Sequence, residues 1–122
     1  MNHIKMIATV RHVFSLLMQG EYDKLEDLTN SIRLSASELR EEVESNGQVL
    51  AMPPDSFFER VYDPDDNHFV VTEIDNSLPT QWHVTVDLWT DEDEFADISL
   101  EMITTDNGKE VYDVEIDSLH ML

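Results

Sequence analysis

A chain of 122 residues falls within the size of one domain, and its 41% apolar content separates it from disordered acidic tails, which cannot offset the entropy of ordering. Its 27 acidic and 7 basic side chains give a formal net charge of −20, a field that repels phosphate backbones and anionic lipid headgroups and attracts cationic proteins. Nucleic-acid and membrane ligands are thereby disfavoured, and the lack of cysteine, which removes disulfides and thiolate metal sites, makes the cytoplasm the expected compartment.

The start of the chain reads as a helix. Ile4, Ile7, Val10, Phe14, Leu17 and Met18 recur at helical spacing, with Gly20 as the stop. Arg11 and His12 break the apolar run, which is therefore not a signal segment, and no stretch approaches the roughly 20 apolar residues that span a bilayer. A short second helix is expected with Tyr22, Leu25, Leu28 and Ile32 on one stripe. Ser35 to Glu38 form a Ser-x-x-Glu capping box, so a third helix starts there and ends at Asn46-Gly47. Pro53-Pro54 blocks continuation, and 55–62 is a helical turn or a loop pinned by Phe57 and Phe58.

Beyond the turn-rich 63–67 the period changes to two. Four strands are expected, over 69–75, 81–90, 96–104 and 111–119. Trp82, Val84, Val86 and Leu88 share a face with Ala96, Ile98, Leu100, Met102, Tyr112, Val114 and Ile116. The helices must cover it. The expected architecture is therefore α+β, one domain over 1–122, with N-terminal helices (1–62) on one face of a four-stranded antiparallel meander (68–120), as in cystatin-like or NTF2-like folds. Parity across Asn107-Gly108 predicts a three-residue loop that sets Asp106 against Glu110, and Glu101 against Glu115.

Charge is concentrated in this β half. Residues 1–60 hold ten acids and six bases, whereas 61–122 hold seventeen acids and one base, Lys109. The outward face collects His83, Thr85, Asp87, Trp89, Asp97, Ser99, Glu101, Asp113, Glu115 and Asp117, and the loop Asp91-Glu92-Asp93-Glu94 adds four more acids at one end. Like charges on neighbouring strands repel, and a cationic partner relieves them, with Trp89 as an interface anchor. The plainer alternative is a solvated sheet face with Trp89 packed against Phe95.

No enzyme, cofactor or metal site is expected. There is no Gly-rich phosphate loop and no Gly-x-Ser-x-Gly turn, and His3, His12, His68, His83 and His120 show no metal-ligand spacing. Asp63, Asp65 and Asn67 imitate the start of a calcium loop, but His68 stands where its glycine belongs and Ile74 where its glutamate belongs.

The segments Val86-Asp87-Leu88-Trp89-Thr90 and Asp97-Ile98-Ser99-Leu100-Glu101, with the ending 114–122, resemble a family of small acidic bacterial proteins of mostly unknown function. The pattern departs from that family at Glu94-Phe95. Some of its members resemble immunity proteins of polymorphic toxin systems, including contact-dependent growth inhibition. The resemblance implies an immunity or antitoxin-like protein that binds a toxin domain, and the charge independently makes the expected partner basic, a nuclease whose polyanion-attracting cleft an acidic inhibitor occludes. The competing expectation is a small-ligand or catalytic domain with a pocket between helices and sheet.

Overall fold

The computed structural model describes residues 1–28 and 35–121, so the expected position of Ile32 lies outside the described residues. Helix α1 spans His3–Met18, α2 Tyr22–Leu28, α3 Ala36–Ser45 and α4 Asp55–Phe58, the last continued by a 3-10 turn, Glu59–Tyr62. Strands β1 (Phe69–Glu73), β2 (Gln81–Trp89), β3 (Phe95–Thr105) and β4 (Asp113–Met121) then form one antiparallel sheet in the order β1-β2-β3-β4. The class is α+β, with helices first and an open meander after them. No helix among the described residues is long and apolar enough to cross a membrane.

Local signals account for the helix ends. Asn2 caps α1 by accepting from the Lys5 amide. At the other end Gly20, at φ 70°, donates to the Leu17 carbonyl while Glu21 donates to Leu16, the paired bonds of a left-handed helix stop that glycine adopts without strain. The capping box at α3 is complete: the Glu38 amide donates to Ser35 Oγ, and the Ser35 amide to Glu38 Oε1.

One contiguous cluster of buried side chains unites the halves. The period-two residues point inward as the alternation requires: Trp82, Val84, Val86, Leu88, Ile98, Leu100, Met102, Val114 and Ile116 are all buried. Above them lie Met6, Val10, Val13, Phe14 and Leu17 of α1. Ile4 does not join this stripe and is 77% exposed, because the inward face of α1 centres on Met6, Val10 and Val13.

Thr9 ties helix to sheet. Its buried hydroxyl donates to the Lys5 carbonyl and accepts from the Tyr112 amide at 3.0 Å. Thr9→Val keeps the volume but orphans the Tyr112 N–H, so it should cost about 1–2 kcal/mol in urea unfolding; an unchanged midpoint would show that the bond contributes nothing.

The β3–β4 register differs from the expectation. Thr105 faces Asp113, and the connection runs over 106–112, two residues out of step with a loop of Asn107-Gly108-Lys109. Asn107 explains the longer loop. Its side-chain nitrogen donates to the Val111 carbonyl and to Asp113 Oδ1, while its oxygen accepts from the Lys109 amide and from Lys5 Nζ of α1. Glu115 therefore faces Ile103, and Glu101 faces Ser118.

Candidate functional site

The acids singled out above lie on two surfaces, the open face of the sheet and the hairpin that joins β2 to β3. On the sheet face, a bulge in β4 decides what stands beside Glu101. Met102 pairs with Ile116 but Glu101 with Ser118, which leaves Asp117 as the extra residue. Past the bulge the inward positions switch from Val114 and Ile116 to Leu119, so Asp117, Ser118 and His120 all join the outward face. The parity change was the signal available in the sequence, and a regular β4 misses it.

This rearrangement replaces the expected repulsion between Glu101 and Glu115. Ser118 Oγ donates to Glu101 Oε2 at 2.9 Å, and His120 Nε2 lies 2.9 Å from both of those atoms. Hydrogen bonds from His120 and then Ser118, which outweigh partial burial, hold the Glu101 carboxyl below the usual glutamate range, with the charges of His120 and His83 adding to the effect. A hydrolytic triad needs the imidazole to face serine with one nitrogen and the acid with the other. Here Nε2 faces both. The triangle braces Glu101 and is not arranged for acyl transfer.

Histidine side chains are thus among the partners of these acids. His68, just before β1, reaches Asp87 through Nδ1 at 2.7 Å and stacks on Phe95 with ring centroids 4.0 Å apart. His83 of β2 converges with Glu101 of β3 and Asp117 of β4, and one ligand-type atom from each lies within 4.8 Å of the others. Asp113 accepts from Asn107, and Glu115 and Asp117 are likewise engaged. The sheet face is thus a set of partnered carboxylates and not a uniform negative plate.

The hairpin is different. Asp91, Glu92, Asp93 and Glu94 are all exposed, as is Asp97 on the following strand, and none forms an ion pair among the described residues. Its backbone is nevertheless well tied. Thr90 Oγ1 accepts from the Glu92 amide and donates to the Glu94 carbonyl, and Asp93 takes the left-handed conformation at φ 63° that short polar residues tolerate. The chain leaving α3 runs alongside, with a Leu50–Thr90 bridge, an Asp91 amide bond to Val49, an Ala51 amide bond to Trp89, and Gln48 Oε1 accepting from the Asp97 amide.

Trp89 sits at the root of this hairpin, half-buried. It meets Phe95 edge-on at 5.1 Å and Phe57 at 6.2 Å. Nearby, the gap among Phe14, Leu17, Met18, Leu50, Ala51, Leu88 and Trp89 amounts to about 10 Å³, room for about one water.

The imitation calcium loop is a capped turn. Asp63 Oδ1 accepts from the Asp65 amide, while Asp66, which no motif singled out, accepts from the His68 and Phe69 amides and from Arg60.

Fold and surfaces together define a small acidic α+β protein with a braced sheet face and a backbone-tied hairpin rim whose acids form no ion pair among the described residues. The chain belongs to the family described as Domain of unknown function (DUF7668), whose model matches residues 14–122. No curated protein and no solved structure matches it.

Proposed function

We propose that the chain is a protein-binding module of the immunity type, whose hairpin rim, Asp91 to Glu94 with Asp97, docks on a basic toxin domain and covers its cleft. One observation carries this reading: five exposed carboxylates are held on a backbone tied at both flanks, and none of them forms an ion pair among the described residues. Ordering such a loop before contact spares the complex that entropy, and concentrated charge of one sign accelerates encounter with a partner of the other. A nuclease fits the role, because its cleft must attract a polyanion. Trp89, half-buried at the root of the hairpin, offers aromatic surface next to the charges.

The partnered acids of the sheet face, Asp87, Glu101, Asp113, Glu115 and Asp117, contribute to the long-range field and less to contact. Glu41, Glu42 and Glu44 of α3, all exposed, lie just before the segment that borders the hairpin and extend the same sign of charge.

The test is genetic and kinetic. The reading expects a toxin domain encoded immediately upstream, and co-expression of this chain should restore the growth of cells which that domain arrests; an upstream gene of another kind, or failure to protect, removes the immunity reading. With that domain as partner, Asp91→Asn, Glu92→Gln, Asp93→Asn and Glu94→Gln combined should slow association by about tenfold or more at low salt and change dissociation much less. Unchanged association kinetics would remove the rim as the docking surface.

A further inference from the structure

We propose that His83, Glu101 and Asp117 form a site for one divalent transition-metal ion on the open face of the sheet. Three adjacent strands each supply one donor, and the candidate ligand atoms lie within 4.8 Å of one another, close enough for small side-chain shifts to bring them around an ion with bonds of about 2.0–2.2 Å. The register sets this spacing. His83 pairs with Ile103 and so sits diagonally from Glu101, two positions along β3, while the bulge sets Asp117 beside Ser118, the partner of Glu101.

The donor set selects the class of ion. One imidazole nitrogen with two carboxylate oxygens suits zinc and its transition-metal neighbours. Calcium asks for six to eight oxygens and magnesium for a near-ideal octahedron that keeps several waters. Three protein donors leave at least one coordination position for water or for a group on a partner. The side chains are half-buried, so the ion can reach them from solvent while its attraction to the carboxylates is less screened than on an open surface.

Supporting groups are already in place. Ser118 Oγ and His120 Nε2 both bind Glu101 Oε2 at 2.9 Å and hold the carboxylate's orientation, the task that neighbours perform around metal-ligating acids. His83 and His120 are 37 positions apart in sequence, with no ligand spacing between them, so only the pairing of β2, β3 and β4 exposes the convergence.

Calorimetric titration of the metal-stripped full chain with zinc chloride tests the site. A single saturable equivalent is expected, weakened by more than about 100-fold in His83→Ala and by about tenfold in the positioning variant His120→Ala. The rim variant with residues 91–94 neutralised should bind zinc as the wild type does, which separates this site from diffuse counter-ion attraction and from the hairpin's own function. Binding without saturation at one equivalent, or undiminished in His83→Ala, overturns the proposal. Should His83→Ala fail to fold, cobalt added to the wild-type chain decides: a visible absorption band saturating at one equivalent is expected, and its absence is equally fatal.

Discussion

Phe57→Ala is expected to lower the melting temperature by roughly 12–20 °C, since losing a buried phenylalanine costs about 3–5 kcal/mol and a chain of this length unfolds with about 0.26 kcal/mol/K of entropy. The Phe57 ring is 2% exposed and lies 5.2 to 6.2 Å, centroid to centroid, from the rings of Phe14, Phe58, Phe69, Trp89 and Phe95. Those rings belong to α1, α4, β1, β2 and β3. Deleting it therefore opens a cavity where the helices meet one end of the sheet, and such a site cannot collapse without moving several elements together. The same change should loosen the hairpin, because Trp89 and Phe95 lose the ring that backs them. Faster hydrogen exchange at the amides of Thr90 to Glu94 would register it. Calorimetry that finds a fall of less than about 3 °C would show that the aromatic cluster is not what joins the halves.

Asp66→Ala should destabilise the chain by about 3 kcal/mol at neutral pH. The carboxylate accepts from two backbone amides, His68 at 3.0 Å and Phe69 at 2.8 Å, and from Arg60 at 2.8 Å, and its side chain is only 8% exposed. Alanine leaves those donors without a partner at the entry to β1. Burial by itself would raise the Asp66 carboxyl, but the Arg60 hydrogen bond, the two amides and the guanidinium charge together hold it below the usual aspartate range. The sign of the pH effect follows. A carboxyl whose value is depressed in the folded state contributes stability above its unfolded value, and that contribution is lost as pH falls through the folded one. The gap between wild type and Asp66→Ala should therefore be full at neutral pH and narrow as acid is added below about pH 4. Glu101, depressed by His120 and Ser118, weakens the wild type in the same direction. Urea unfolding at both pH values measures the gap, and an equal difference at each would contradict an ionised Asp66 as its source.

Several features were legible in the residues themselves. Ser35 and Glu38 announced the start of α3, Gly20 the end of α1, and the alternation through 82–88 and 98–102 named the inward face of the sheet before any pairing was known. Each depends on chemistry within a few positions: an oxygen placed to accept an amide, a residue without Cβ, a period that matches the pleat. The crowding of negative charge into the second half was equally plain.

Pairing across strands was not legible, because it depends on how loops bend and on which side chains bind over long separations. Asn107 bridging Lys5 and Asp113 lengthened the β3–β4 connection and moved Glu115 away from Glu101. His68 found Asp87 across 19 positions, and the bulge at Asp117 turned His120 outward to brace Glu101. The eleven residues expected to share one partner-binding surface consequently divide between a sheet face of hydrogen-bonded acids and a rim whose acids form no ion pair among the described residues.

Taken alone, the sequence determined the α+β class, the helix caps, the buried face of the sheet and the sign and location of the charge, since these follow from local spacing and composition. Tertiary structure decided which carboxylates are partnered, that the hairpin acids form no ion pair among the described residues, and that His83, Glu101 and Asp117 converge. Register and bulge position are set by the packing of the whole sheet and its loops, and a one-residue change in either sends an entire run of side chains to the opposite face.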